Sequence, residues 1–148
     1  MGIGRTMAIP TLAVTDLAEA RRFYGQLLGF EEIETPGEED AALFRVGNGS
    51  PLLVYERPSV SGSTATACAF TVENVEETVA RLRKQGVRFE EYDMPEMGLK
   101  TVDGVATMDG FKSAWFKDPW GNILAIEDAM VDQLRRGSTT GAYEGAHP

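Results

Sequence analysis

The chain has 148 residues, a net charge of −9 and a pI near 4.6, which argues against nucleic acid or an anionic membrane as partner. That length suits one domain able to bury roughly 68–70% of its unfolded surface. One cysteine gives no internal disulfide, no apolar run is long enough to span a bilayer, and no signal-peptide core follows Met1. These features set the expectation of a cytoplasmic protein.

The first extended run is Ala8–Val14. It meets Asp16-x-x-Glu19, a capping-box pattern. Leu17, Ala20, Tyr24, Leu27 and Leu28 then recur at helical spacing and predict a helix over 17–28. Gly29 stands where a left-handed residue ends a helix. Strands are expected at Phe30–Glu34, Ala41–Val46 and Pro51–Glu56, the last two joined by Gly47-Asn48-Gly49. Ser59–Thr64 has linker composition.

The same order then repeats. A run at Ala65–Val72 meets Asn74-x-x-Glu77, and Val75, Val79 and Leu82 predict a helix over 75–85, stopped by Gly86. Strands are expected at Val87–Tyr92, Lys112–Lys117 and Ile123–Glu127, the last pair turning at Asp118-Pro119-Trp120-Gly121-Asn122. Asp93–Gly110 reads as a long irregular loop, suited to a lid, with Met94, Met97 and Leu99 giving it apolar character. Each half is therefore βαβββ. The class is α+β, with two tandem modules, 7–57 and 64–128, forming one domain over 7–128. Residues 129–148 form a C-terminal tail of mobile composition. A tandem repeat implies that neither unit buries its apolar face alone, and that a site lies between matched halves.

Two segments carry a family resemblance. Ala13-Val14-Thr15-Asp16-Leu17, with Arg22-Phe23-Tyr24 and Leu27-Leu28-Gly29-Phe30, resembles the opening of a vicinal oxygen chelate domain. This superfamily includes glyoxalase I, extradiol dioxygenases and bleomycin-resistance proteins. Phe116-Lys117-Asp118-Pro119-Trp120-Gly121-Asn122 resembles its closing hairpin. The resemblance implies a cupped mixed sheet, commonly in a dimer. It also implies where metalloenzymes of the family place their ligands. Here those positions hold Ile9, Leu53 (Val54 if the hairpin differs by one), Ala67 and Ala125. None offers a lone pair to zinc or iron.

Elementary chemistry agrees. The single histidine, His147, is next to the last residue, so no Ser-His or Cys-His pair forms within the domain. Cys68 has the opposite strand parity to Ala67 and Ala69 and is expected to face the helices as a buried thiol. An oxygen site from Glu56, Asp118 and Glu127 is conceivable for Mg²⁺ or Mn²⁺. However, Asp118 sits where Asp serves turn geometry and Glu127 ends a strand. The expectation is therefore no metal and no cofactor.

Strand alternation then gives the lining of the hollow. Counted from the positions that the resemblance implies, Ile9 and Thr11 face inward, as do Ala67 and Ala69, and Ile123, Ala125 and Glu127, with Leu53 and Tyr55 joining them if the hairpins match. Trp115 lies on a neighbouring strand with its parity open. Three functions follow. The first is metal-free binding of an apolar or amphipathic small organic molecule. The second is a glyoxalase- or dioxygenase-like enzyme with a non-standard site. The third is a structural or regulatory dimer with a filled hollow. A homodimer is expected in each case, with the tail lying across its interface.

Overall fold

The computed structural model describes residues 2–47, 49–129 and 134. The first half runs β1 (Thr11–Val14), helix α1 (Leu17–Ala20), β2 (Glu31–Ile33), β3 (Ala41–Val46) and β4 (Ser50–Glu56). The second half runs β5 (Thr66–Thr71), α2 (Val75–Lys84), β6 (Asp93–Met94), β7 (Leu99–Val102), β8 (Val105–Met108), β9 (Phe111–Lys117) and β10 (Ile123–Glu127). The first sheet has the order β1-β4-β3-β2, and the second β5-β10-β9-β8-β7-β6. In each half the opening strand lies parallel to the closing one, and the other described pairings are antiparallel. The two-module α+β fold stands.

Both helices start as their sequences dictate. The Asp16 carboxylate accepts the Glu19 N–H at 3.2 Å, and the Asn74 side chain accepts that of Glu77 at 2.9 Å. Gly29 and Gly86 close the helical regions at φ 81° and 96°, a conformation that glycine adopts without steric cost. The first helix differs from expectation in pitch. Beyond Ala20 it widens into a π-helical stretch, Arg21–Leu27, and Leu28 N–H reaches back five residues to the Phe23 carbonyl at 2.9 Å.

The largest departures lie in the second half. Val87–Tyr92 is not a continuous strand. Its contact with β9 is a bridge between Phe89 and Phe116, plus the Glu90 N–H on the Trp115 carbonyl at 2.7 Å. β8 takes that edge of β9 at Phe111–Ser113, so Tyr92, which would fall opposite Ser113, pairs instead with Thr101, whose N–H reaches its carbonyl at 2.9 Å. Asp93–Gly110 is not irregular either. It folds into β6, a 3₁₀ turn at Pro95–Met97, β7 and β8. Two-residue Asp-Gly turns make this possible. Asp103 and Gly104 have φ of 52° and 81°, and Asp109 and Gly110 have 52° and 83°. Positive φ at both central residues matches the twist of paired strands. Smaller corrections fall at strand starts. Ala8, Ile9 and Pro10 precede β1 rather than belong to it, and Phe30 precedes β2. The expected tail lies outside the described residues, apart from Ala129 and an exposed Leu134.

Side chains alternate cleanly between a helix-facing and an open face. Leu12, Val14, Ala42, Phe44, Leu52, Val54, Ala114, Phe116, Leu124 and Ile126 join Leu17, Ala20, Tyr24, Val75 and Val79 in one core through both halves. Phe30 packs on Phe70 and Phe23 on Phe116, each pair bringing the two halves together. Cys68 also packs against this core, as its parity predicts, and burial raises its thiol pKa.

A polar link fastens the halves. The fully buried Tyr24 hydroxyl donates to Asp118 Oδ2 at 2.6 Å. Asn122 Nδ2 donates to the same oxygen at 2.7 Å and to the Ala13 carbonyl at 2.9 Å. Asp118 Oδ1 accepts the Trp120 and Asn122 N–H groups at 3.0 and 2.9 Å. Burial first, and then the Asp118 charge and hydrogen bond, push the Tyr24 phenol far above its ordinary range. Tyr24→Phe should cost roughly 1.5–3 kcal/mol of stability in chemical denaturation, because a hydrogen bond to a buried carboxylate is lost. The pH dependence follows from the sign of the shift. The folded phenol stays protonated where the unfolded one ionises, so this contribution is full below about pH 10 and falls as pH rises above it. Tyr24→Phe should flatten the alkaline limb of the stability profile, read by denaturation at pH 8 to 11.

Candidate functional site

The faces turned away from the helices are the candidate site. On the first sheet Leu53 of β4 lies opposite Thr11 and Leu43, and Tyr55 opposite Ala13 and Ala41. Arg57 stands 5.9 Å over the Tyr55 ring. On the second sheet Ala125 of β10 sits between Ala69 and Trp115, and Glu127 between Thr71 and Ser113. The parity of Trp115 is thereby settled: it shares the open face with Ala125.

The expected lining divides by exposure. Ile123, Ala125 and Glu127 are buried, with Ala125 at 5% and Glu127 at 8% exposure. Leu53, Tyr55 and Trp115 are half-buried, while Thr11 and Ala69 are exposed. Two members fall outside the regular ladder. Ile9 is 48% exposed and precedes β1. Proline at position 10 has no N–H to give a ladder, and only its carbonyl engages, accepting the Leu53 N–H at 2.9 Å. Ala67 lies at a bulge, because Thr66 faces Ile123 and Cys68 already faces Leu124.

Tyr92 belongs to this face and was absent from the expected lining. Its ring meets Trp115 edge-on, with centroids 5.5 Å apart at 75°. Burial, then the Glu90 carboxylate, raise its phenol pKa. Glu90 pairs with Lys117 at 3.3 Å nearby. The signal was available in the sequence: Phe89 is helix-facing, and alternation from it puts Glu90 and Tyr92 on the other side.

The donor set does not suit a transition metal. The four positions implied by the resemblance carry alkyl side chains, and Val54, the alternative to Leu53, points into the core. Among the described residues no three His, Cys, Asp or Glu side chains converge. The oxygen donors considered for Mg²⁺ are engaged separately. Glu56 accepts the Leu17 N–H at 3.3 Å at the start of α1, and Asp118 is held in its turn and by Tyr24. Of the adjacent carboxylates, Glu90 turns to Lys117, while Glu91 turns to Thr101 and the Gly104 N–H. No helix is long and apolar enough to cross a membrane among the described residues.

Comparison with solved structures gives the same architecture. A glyoxalase family protein from Bacillus anthracis superposes with a TM-score of 0.64 at 22% identity, covering 82% of this chain and 93% of that one. A fosfomycin resistance protein, FosX, from Listeria monocytogenes gives 0.61 at 18%, covering 86% and 95%. Lactoylglutathione lyase from Agrobacterium tumefaciens gives 0.58 at 19%, covering 84% and 93%. At such identities the likeness establishes the fold. The family model of the Glyoxalase/Bleomycin resistance protein/Dioxygenase superfamily matches residues 2–126, most of the chain, and the chain belongs to that superfamily.

Proposed function

We propose that the protein is a metal-free, cytoplasmic small-molecule-binding member of its superfamily, taking an apolar or amphipathic organic ligand on the open face. The observation that carries this reading is the composition of that face. Ala125 stands between Ala69 and Trp115, Tyr92 braces the indole, and Leu53 and Tyr55 occupy the matching place on the other sheet. Such a surface offers contact area and ring edges, with Ser113, Thr71 and Glu127 as polar handles. Among the described residues it offers no imidazole or thiolate to a metal. The alkyl side chains at the implied ligand positions weigh against glyoxalase- or dioxygenase-type chemistry through a bound transition metal.

The functional form is a homodimer. Met108 and Phe111 face each other across the Asp109-Gly110 turn on the same open face as Trp115, and are 42% and 46% exposed. Such apolar surface at a sheet rim is suited to cover by a second copy. Light scattering at micromolar concentration should give twice the chain mass. A monomer would refute this arrangement.

Elemental analysis after dialysis should find far less than one equivalent of zinc, nickel, manganese or iron. A retained equivalent would overturn the metal-free reading.

Ligand binding is checked by tryptophan fluorescence against a panel of aromatic and amphipathic compounds. Binders should shift the Trp115 signal, and Trp115→Phe should leave only the unresponsive background of Trp120. Ala69→Phe should abolish binding with the fold intact, since Ala69 is exposed beside Ala125. Ala125→Phe should also abolish it, with a stability cost of roughly 1–3 kcal/mol from overpacking a buried position. A panel without one saturable binder would sink the binding reading in favour of a filled structural dimer.

A further inference from the structure

A second concavity lies on the opposite side of the second sheet, away from the open face. It is an open groove of about 600 Å³ between α2 and the β7–β8 hairpin. Buried Val79 and the partly buried Val105 form its floor, and Ala80 and Val102 its apolar walls. Val102 is 67% exposed there.

Its charges are arranged unevenly. Lys112 is taken by Glu76, with which it forms an ion pair. Arg83 is held by two neutral groups and lies close enough to the Glu91 carboxylate to add, after the Thr101 and Gly104 hydrogen bonds, to what keeps that acid ionised. Its Nη2 donates to the Asp103 carbonyl at 2.8 Å, and its guanidinium lies 5.7 Å over the Phe89 ring. Gly104 permits this close packing. A Cβ there would stand 2.9 Å from both Arg83 Nη2 and Phe89 Cβ. The guanidinium is thus set in place before any ligand arrives, with further N–H donors left over. Lys100, on β7 of the same groove, forms no ion pair among the described residues. The lining thus carries three cations against the two carboxylates of Glu76 and Asp103, and in a chain of net charge −9 this slight cationic excess stands beside an apolar floor.

We propose that this groove is a second binding site, for a small anionic amphiphile: a carboxylate or phosphate head on a short apolar tail. Arg83 and Lys100 receive the head, and Val79, Ala80, Val102 and Val105 receive the tail. The Asp103 carboxylate at the rim opposes the anion and limits affinity. The volume is within the range of small-ligand sites. Arg83 is preorganised, so a ligand loses little side-chain entropy in engaging it.

The probes are octanoate, octyl phosphate and the neutral octyl glucoside, titrated into the full chain by calorimetry and mapped by amide NMR shifts. Saturable binding of at least one anionic probe is expected, with shifts over 76–83 and 100–107, and none from octyl glucoside. Octanoate binding alone would mark a carboxylate site, and octyl phosphate alone a phosphate site. Lys100→Glu should weaken binding by about tenfold or more, and Asp103→Asn should strengthen it several-fold, since asparagine tolerates the left-handed φ of 52° at that turn. Ala80→Trp should block the groove from an exposed helix position. No saturable binding, shifts confined to the Trp115 face, equal affinity for octyl glucoside, or indifference to both Lys100→Glu and Ala80→Trp would each overturn the proposal.

Discussion

One buried carboxylate organises this molecule. Asp118 receives four hydrogen bonds: two N–H groups of its own turn, the Asn122 amide and the Tyr24 phenol. A buried anion is tolerable only when its lone pairs are met, and here they are met by both halves of the chain. The turn bonds fix the hairpin that starts β10. The Tyr24 bond ties that hairpin to the first helical region. Asn122 then reaches on to the Ala13 carbonyl of β1. The strand that carries Ile123, Ala125 and Glu127 is therefore located relative to the first module by side-chain geometry, as well as by the shared apolar core. Without this link, Phe23 on Phe116 and Phe30 on Phe70 would still favour association. They would leave its register less specified, since apolar contact is not directional.

Features set by local rules were legible in the sequence. Asp16 and Asn74 cap because an oxygen acceptor before a helix meets an orphan N–H, whatever the surroundings. Gly29 and Gly86 take positive φ for an equally local reason. Alternation assigned Leu53, Tyr55, Ala69 and Ala125 to one face and Cys68 to the other, as the registers show. The Asp103-Gly104 and Asp109-Gly110 pairs were equally local signals for tight hairpins. The length of the segment and its methionines suggested a lid instead, so the meander at 93–110 was hidden behind a readable motif.

Other features depend on partners far away in sequence. Apolar spacing at 17, 20, 24, 27 and 28 fits an α-helix, yet the Phe23–Leu28 bond shows a wider turn that the same stripe also satisfies. Val87–Tyr92 has strand composition. It keeps a single bridge to β9, and its last residue, Tyr92, turns to Thr101 because β8 takes the edge of β9 at Ser113, a competition invisible until both elements are placed. The bulge at Ala67 and the exposed position of Ile9 shift two expected lining residues, because alternation holds only while pairing is regular. The groove beside α2 is wholly tertiary. Arg83, Lys100 and Asp103 have no sequence spacing that announces them.

Chemistry on the open face is limited by what the side chains can donate. A superfamily fold that presents converging strand positions can host a metal, but only if those positions carry ligands. Here small and apolar groups stand there, so under the proposed binding function affinity would come from contact area, ring edges and expulsion of water. Such forces discriminate by shape more than by functional group, since one methylene in a pocket is worth only about 1–3 kcal/mol. Selectivity under that proposal would rest on the few polar side chains at the margin. Glu127 is the most enclosed of these, with the Thr71 and Ser113 positions beside it. It lies two residues beyond Ala125 on the same face of the same strand. That position leaves a carboxylate near the site while removing it from the place where the resemblance expects a metal ligand. A site of this kind is suited to holding a molecule through its outline and one polar contact, rather than to polarising a bond in it.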